Sequence, residues 1–435
     1  MTAPRTLPAH LAHPFSPRGR LDPYPAYRWL RDHDPVHFDV TSRMWLLTTH
    51  ADCALALRDP RFSAALGQRE RVRDDELPPS MLTTDPPEHQ RLRSPGALLM
   101  GPAAIRGIAG GIAAEIEHVL DALAGRERIE ATADIGEPLA TGVLAELFGL
   151  PAADRAAFAV LAARVSVNLD PLAGPQAAAA GRAAMGELTH FLGHRADAAA
   201  EAVRTAAAEA VRAAAAAAEA VDSAAAGAVR AAADSTAPAG APDAGKAGGS
   251  PFGRLAADER LTRAEMLGIA ALTVVGGWKP LAEMVGNALH WLLPRKDAAE
   301  QVRESHEAAM SAVDELLRLE SPIPFTARVT TEEVRLDGGV IPAGARVLAL
   351  VGAANRDPAV FAEPDELMVP RSPNPHLAFG AGTHLCLGAP LVRHAGAVLL
   401  GGLLTRYPGL RPDGDPPVWA PSMVPRRLTG FTLTT

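Results

Sequence analysis

The stretch FGAGTHLCLG, residues 379–388, places one of the two cysteines of the chain in a glycine-rich loop directly ahead of a helix. Its glycines allow backbone conformations and close approaches that a side chain would forbid. Residues 389–392, APLV, open an apolar helix with proline in its first turn. Cys386 is therefore expected at a helix N-terminus, where backbone N–H groups and the helix dipole stabilise the thiolate that binds metal.

This loop resembles the haem-binding loop of the cytochrome P-450 superfamily in the order of its aromatic, glycine, basic and cysteine residues. The resemblance implies haem b as cofactor, with Cys386 as the ligand of its iron, His384 as the basic residue of the loop and Phe379 packed near the sulfur. Thiolate ligation favours cleavage of the O–O bond, so the expected chemistry is oxygen activation. The other cysteine, Cys53, lies in a helical pattern and is predicted to be a buried, inert thiol.

Further motifs follow in the order that the family has. Haem needs groups that neutralise its two propionates. His89 and Arg93, one helical turn apart, match the propionate-binding pair of the family, and Arg328 matches its strand arginine. A structural trio that holds the cysteine loop in the family is matched by Glu315, Arg318 and Arg371.

Composition and charge bound the class of protein. With 435 residues, 48% of them hydrophobic, the chain can bury a large core. The resemblance implies one haem-thiolate domain over residues 1–435, mainly α with small β-sheets and a long central helix over the haem. The formal charge of −8 argues against a nucleic-acid partner. The sequence has no uninterrupted apolar run of transmembrane length, and residues 1–20 lack the apolar core of a signal peptide. We therefore expect a cytoplasmic protein without a membrane partner.

Residues 196–250 form a low-complexity, alanine-rich insertion. Alanine has the highest helix propensity, and we expect residues 196–233 to extend the preceding helix. The valines there recur too rarely to give more than a thin apolar stripe. Residues 234–250 are predicted to be a flexible linker. A partner-binding helix is the alternative interpretation of the alanine-rich part.

The centre of the predicted long helix, residues 261–293, departs from the family pattern. The family has an acid followed by threonine for proton delivery, whereas this chain has Lys279 followed by Pro280. Proline lacks an N–H, and its ring collides with the carbonyl four residues earlier, so we expect the helix still to bend here. The candidate catalytic residues are therefore Gly276, Gly277, Lys279 and Pro280.

Three interpretations of this centre are open. In the first, Lys279 turns out to a surface acid, and water or a substrate hydroxyl delivers protons. In the second, the enzyme removes electrons and hydrogens from its substrate, in oxidative coupling or desaturation, and inserts no oxygen. The third covers peroxide-driven oxidation or a non-redox role of the iron. A hypothesis of another class is a haem-binding scaffold that recruits a second enzyme without turnover.

The resemblance implies a monooxygenase or oxidase that hydroxylates or epoxidises a small, moderately hydrophobic organic molecule, in natural-product tailoring. Family topology places the substrate against mainly apolar segments, which are residues 62–81, the flanks of 171–175, 275–281, 323–325 and 422–424. The length holds no flavin domain, so a separate ferredoxin or flavodoxin and its reductase are expected to supply electrons. A basic patch around Arg393 is the expected docking surface for an acidic partner.

Overall fold

A computed structural model of the chain describes residues 6–65, 80–171, 173–228 and 249–435. The described part is mainly helical with small β-sheets, which confirms the predicted fold class. Its α-helices are α1 Pro17–Leu21, α2 Tyr24–His33, α3 His50–Arg58, α4 Glu88–Met100, α5 Pro102–Ala122, α6 Glu137–Phe148, α7 Ala152–Val165, α8 Pro175–Ala228, α9 Pro251–Ala256, α10 Arg263–Leu292, α11 Lys296–Glu304, α12 His306–Leu319, α13 Val351–Ala354 and α14 Ala389–Arg406.

The strands are short and fall into four small sheets. They are β1 Val36–Asp39, β2 Met44–Leu47, β3 Phe62–Ser63, β4 Ile129–Glu130, β5 Thr326–Thr330, β6 Val334–Leu336, β7 Gly339–Ile341, β8 Arg346–Ala349, β9 Arg411–Pro412, β10 Val418–Trp419, β11 Leu428–Thr429 and β12 Thr432–Thr434. The largest sheet has the order β1-β2-β8-β5-β3. In it Arg328 of β5 pairs with Val347 of β8, which fixes the position of the arginine.

The long helix α10 runs through the middle of the largest core cluster. It begins at a capping box, in which Thr262 accepts from the backbone N–H of Glu265 and the Glu265 side chain accepts from that of Thr262. Its buried residues lie on several sides of the helix, as expected for a central element. A π-helix at Ala131–Gly136 packs so tightly against it that a Cβ on Gly136 would lie 2.2 Å from the Ala282 carbonyl oxygen.

Helix α8 continues without a break from Pro175 to Ala228, so the prediction that the alanine-rich segment extends the preceding helix is confirmed that far. The exposed Val211 agrees with a segment that has little to bury. Residues 229–233 of the predicted helix and residues 234–248 of the predicted linker lie outside the described residues. The described chain resumes at Gly249, and Ser250 caps α9 by accepting from the backbone N–H of Gly253.

Among the described residues, one helical run, Glu88–Ala122 with 35 residues, is long and apolar enough to cross a membrane by length and composition alone. Charged residues interrupt it, among them Arg93, Arg106 and Glu115. Gly101 adopts an extended conformation in the middle of the run and divides it into α4 and α5. Since core helices of other proteins meet the same criterion, this run is weak evidence for a membrane span.

Candidate active site

The cysteine loop is held against α3 at a position where only glycine fits. Gly380 and Gly382 have φ values of 72° and 68°, in the left-handed region that side chains disfavour. A Cβ on Gly382 would also lie 2.6 Å from the carbonyl oxygen of Leu57 in α3. The loop is closed by a hydrogen bond of 2.8 Å from the Cys386 N–H to the Phe379 carbonyl.

Cys386 lies just before α14, as predicted, and it is accessible to solvent. The protein around the sulfur still desolvates it, and this burial raises the pKa of the Cys386 thiol. Hydrogen bonds from the backbone N–H groups of Gly388 and Ala389 and the charges of Arg93 and Arg393 act in the opposite direction. Within the described ranges, no cluster of three or more His, Cys, Asp or Glu side chains could hold a metal ion. An iron at Cys386 would therefore need most of its ligands from a macrocycle, as haem provides.

Four cationic or basic side chains gather beside this loop. The rings of His89 and His384 lie 4.2 Å apart between centroids. Arg93 donates from Nη2 to the Leu385 carbonyl oxygen at 2.7 Å, which ties α4 to the residue before the cysteine. Arg328 is only 5% exposed, and the pKa of Arg328 is lowered to about 10 by that burial.

These groups have few anions to balance them. Both ring nitrogens of His89 are buried and have no hydrogen-bond partner. Asp85 lies 4.0 Å from His384 Nε2, but its carboxylate also accepts hydrogen bonds from Ser63 Oγ and from the backbone N–H of Ala64. Burial first, and then the neighbouring His89 and Arg328, lower the pKa of His384 to about 4. A ligand with two carboxylates, such as the propionates of haem, fits this basic set, in which the ring nitrogens of His89 lack partners.

The predicted structural trio forms a buried ion-pair network behind the loop. Glu315 accepts from Arg318 Nε at 2.7 Å and Nη2 at 2.8 Å, and from Arg371 Nε at 2.9 and 3.0 Å. The two guanidinium groups also donate to backbone carbonyls between Asn355 and Glu366. Every charge is therefore paired and hydrogen-bonded, as a buried network requires.

Arg393 supports the aromatic residue of the cysteine loop. It donates from Nε to Asp314 at 2.7 Å and stacks on the ring of Phe379 with 4.7 Å between guanidinium carbon and ring centroid. Asp314 also contacts His376 at 3.1 Å. The Arg393 side chain is still 32% exposed, and the docking patch around it stays a prediction.

The centre of α10 carries an ion-pair triad that the sequence analysis did not identify. Lys279 Nζ lies 2.9 Å from Glu137 Oε1 of α6 and 2.8 Å from Glu283 Oε1, one turn further along α10. The Glu283 side chain is 1% exposed, that of Lys279 20% and that of Glu137 37%. The triad thus runs from a buried acid to one that reaches solvent. The spacing of Lys279 and Glu283, i and i+4 on one helix, could have revealed half of it.

Burial acts in opposite directions on the pKa values of Lys279 and Glu283. Burial acts to lower the pKa of Lys279, but the carboxylates of Glu283 and Glu137 outweigh it, and the pKa is raised above the usual lysine value. Burial raises the pKa of Glu283 above its ordinary value in spite of Lys279. Lys279 therefore stays charged, while the raised pKa means that Glu283 holds its proton more tightly than an ordinary glutamate does.

The other candidate residues of α10 have distinct surroundings. A Cβ on Gly276 would meet no atom within 4 Å, so this glycine borders open space. A Cβ on Gly277 would lie 3.7 Å from Leu144 of α6. The helix continues through Pro280, which cannot donate to the Gly276 carbonyl. The structure brings Lys279 to Glu137 and Glu283, and it brings His89, Arg93 and His384 to the Cys386 loop.

Of the predicted substrate segments, two meet in space. Phe325 and Met423 line one small depression together with Phe15 and Tyr27. Residues 66–79 of the first predicted segment, and residue 172, lie outside the described residues.

The chain is similar to known proteins in sequence and in fold. Residues 259–424 match the family Cytochrome P450. Nocardicin C N-oxygenase from Nocardia uniformis subsp. tsuyamanensis is 33% identical over 417 residues, 92% of each chain. Cytochrome P450 monooxygenase PikC from Streptomyces venezuelae is 30% identical over 427 residues, 95% of this chain and 91% of the relative.

Among solved structures, the post-tailoring hydroxylase HmtN, involved in himastatin biosynthesis, is 28% identical to this chain. The superposition covers 97% of this chain and 99% of the HmtN chain, with a TM-score of 0.72. Sequence and fold therefore agree over nearly the whole chain, and the residues at the cysteine loop suit haem. On this evidence the chain belongs to the cytochrome P450 family of haem b monooxygenases.

Proposed function

We propose that this cytochrome P450 oxidises a small, moderately hydrophobic organic molecule in natural-product tailoring, in the cytoplasm and as one domain over residues 1–435. The observation that carries the site assignment is the buried His89 imidazole, which lacks hydrogen-bond partners beside other basic groups and close to the Cys386 loop. Support for the substrate class comes from relatives named for nocardicin C and for himastatin biosynthesis.

In this proposal Cys386 ligates the iron of haem b, and His89, Arg93, Arg328 and His384 hold its propionates. When bound, the haem supplies activation of dioxygen, which thiolate ligation favours. The protein orients the sulfur through the Gly388 and Ala389 N–H groups and keeps Phe379 in place through Arg393. These contacts preorganise the ligand before any substrate arrives.

The triad on α10 favours the first of the three interpretations of the helix centre. Lys279 is paired with Glu137, whose side chain is partly exposed, and with the buried Glu283. Both partners hold the ammonium group, so it is not available to bind a substrate carboxylate. Proton delivery in this proposal then depends on water or a substrate hydroxyl beside Gly276, where open space borders the helix.

The test of the overall proposal is incubation of the haem-loaded protein with candidate metabolites, a surrogate ferredoxin and its reductase, and isotopically labelled dioxygen. Label in a new product, detected by mass spectrometry, supports monooxygenation. A product short of two hydrogens and without label supports coupling or desaturation instead. If none of the metabolites changes the rate at which reductant is consumed, the scaffold hypothesis is favoured and the proposed enzyme activity is contradicted.

The helix centre has its own test, Pro280→Thr with Lys279 retained. Lys279→Glu is unsuitable, because it would place a third carboxylate between Glu137 and Glu283. We expect a threonine hydroxyl at position 280 to lower the ratio of released hydrogen peroxide to product. Pro280→Ala, which also restores an N–H but brings no hydroxyl, is the matched control. Equal ratios in all three proteins would contradict a role for this position in proton handling.

We further propose that a separate ferredoxin or flavodoxin supplies the electrons on the face that carries Leu385, an exposed apolar side chain next to the cysteine. Leu385→Asp is expected to slow reduction by such a partner and to leave chemical reduction by dithionite unchanged. A variant that is reduced by its partner as fast as the parent protein would move the docking face elsewhere.

A further inference from the structure

Helix α8 carries two histidines whose ring nitrogens converge on its exposed face. His190 and His194 are one turn apart, and both are exposed to solvent. Their Nε2 atoms lie 3.1 Å apart, with 4.5 Å between ring centroids and an angle of 86° between the ring planes. Neither residue belongs to the basic groups beside Cys386 or to the triad on α10.

The distance between these nitrogens matches the distance expected between two imidazole nitrogens that bind the same transition-metal ion. A zinc–histidine bond is about 2.0–2.1 Å long, so two such bonds meeting at about 90° to 110° separate their nitrogens by roughly 2.9–3.4 Å. Two histidines at i and i+4 on one helix face are also the arrangement by which helical zinc sites present their imidazoles. In the structure the two Nε2 atoms share a hydrogen bond. A metal ion would displace the proton between them, and both rings would then be in the Nδ1–H tautomer.

We propose that His190 and His194 form a surface site for a divalent transition-metal ion of the zinc, nickel and copper class, separate from the haem. Imidazole nitrogen suits these ions better than it suits magnesium or calcium, which prefer oxygen ligands. The site adds a metal-binding property to the chain that is independent of the proposed oxidation chemistry.

The two imidazoles are the protein ligands of this site. No third His, Cys, Asp or Glu of the described residues completes a metal-binding group with them. The carboxylate of Asp197, one turn beyond His194, is held by Arg263 at 2.6 and 3.1 Å. Water completes the coordination of such an open site.

The position of the site gives the metal a structural effect. Helix α8 packs against α7, α9 and α10 through its other faces and then continues into the alanine-rich segment. A metal that joins two adjacent turns favours the helical state of α8 just ahead of that segment. Because the ion binds the folded helix in preference to the unfolded chain, it stabilises the fold by an amount that grows with the logarithm of its free concentration above the Kd.

The experiment is isothermal titration of zinc chloride and nickel chloride into untagged, haem-loaded protein, which leaves Cys386 occupied by iron. We expect one equivalent of metal to bind, and at least about tenfold weaker binding in His190→Gln and in His194→Gln, because each loses one of two converging ligands. His118→Gln, which removes an exposed histidine of α5, is the matched control and should bind as the parent does.

Circular dichroism of the variants shows whether α8 is still folded, so a loss of binding in a folded variant is assigned to the missing ligand. The proposal is overturned if the parent protein takes up no metal, or if the double variant His190→Gln/His194→Gln binds it as tightly as the parent. Neither result would bear on haem binding or oxidation, which are assayed separately.

Discussion

Replacement of Lys279 by methionine would leave Glu283 buried without a counter-charge. Removing one partner of a fully buried ion pair costs about 3–5 kcal/mol. Lys279 is one-fifth exposed, and solvent screening of its charge reduces the effect. We therefore expect the free energy of unfolding to fall by about 2–3 kcal/mol at pH 8.

The loss should depend on pH, since the unpaired carboxyl can escape its cost by taking up a proton. Glu283 already has a raised pKa, so the folded state holds this proton more tightly than the unfolded chain does. A carboxyl whose pKa is higher in the folded protein than in the unfolded chain lowers the free energy of unfolding. This destabilisation is complete at pH values above the pKa in the folded protein, and it is absent at pH values below the pKa in the unfolded chain. Protonation costs about 1.4 kcal/mol for each pH unit above the ordinary glutamate value of about 4.3, so the loss cannot exceed about 1 kcal/mol at pH 5.

The assay is urea unfolding of the haem-loaded parent and variant at pH 5 and at pH 8. Glu283→Gln, which keeps the ion pair between Lys279 and Glu137, is the matched control and should cost less than Lys279→Met at pH 8. The double variant should be more stable than Lys279→Met alone, since it contains no buried charge. Equal losses at the two pH values, or losses that simply add in the double variant, would refute this account of the triad.

Three other variants test the cysteine loop and its surroundings. Gly382→Ala should reduce haem content severely, because a Cβ meets a backbone carbonyl there. Gly414→Ala is the control, since Gly414 also has a positive φ but open space around it. This control should lose only about 1–2 kcal/mol of stability and keep its haem. Arg328→Met should weaken haem binding at least about tenfold, measured by competition with apomyoglobin. It should leave the haem-free protein no less stable, since it removes a desolvated cation. Arg335→Met, at an exposed position, is the control with unchanged haem affinity, and the same unchanged affinity in Arg328→Met would contradict propionate binding. Glu315→Gln should lower the stability by about 3–5 kcal/mol in urea, and a loss below 1 kcal/mol would show that the network does not hold the loop.

The sequence predicted features in which local chemistry decides the structure. Cys386 precedes α14 because glycine and proline fix the backbone there, and Glu315 pairs with Arg318 because they share a helix face. The fold class followed from a resemblance, and relatives and solved structures confirm it. In the candidate site, the proximity of His89 to His384 followed from motif order and is present in the structure.

The remaining features depend on contacts between distant elements, which periodicity does not encode. Glu137 lies far from Lys279 in the chain, and only the packing of α6 on α10 joins them. Arg393 appeared as a surface charge, but its partner Asp314 lies on another helix. The alternating pattern of Val329 to Leu336 would suit one strand. The structure divides these residues between β5 and β6, because residues 331–333 turn between two different sheets.

The contact between Gly382 and Leu57 has a consequence for how the protein is made. These residues lie near opposite ends of the chain, and the loop takes its position from the N-terminal helix α3. During synthesis α3 leaves the ribosome long before the cysteine loop exists, so the ligand cannot be placed until almost the whole chain has emerged. Capture of the cofactor is therefore a late step, and a ribosome stalled ahead of residue 382 should hold a nascent chain that cannot retain haem.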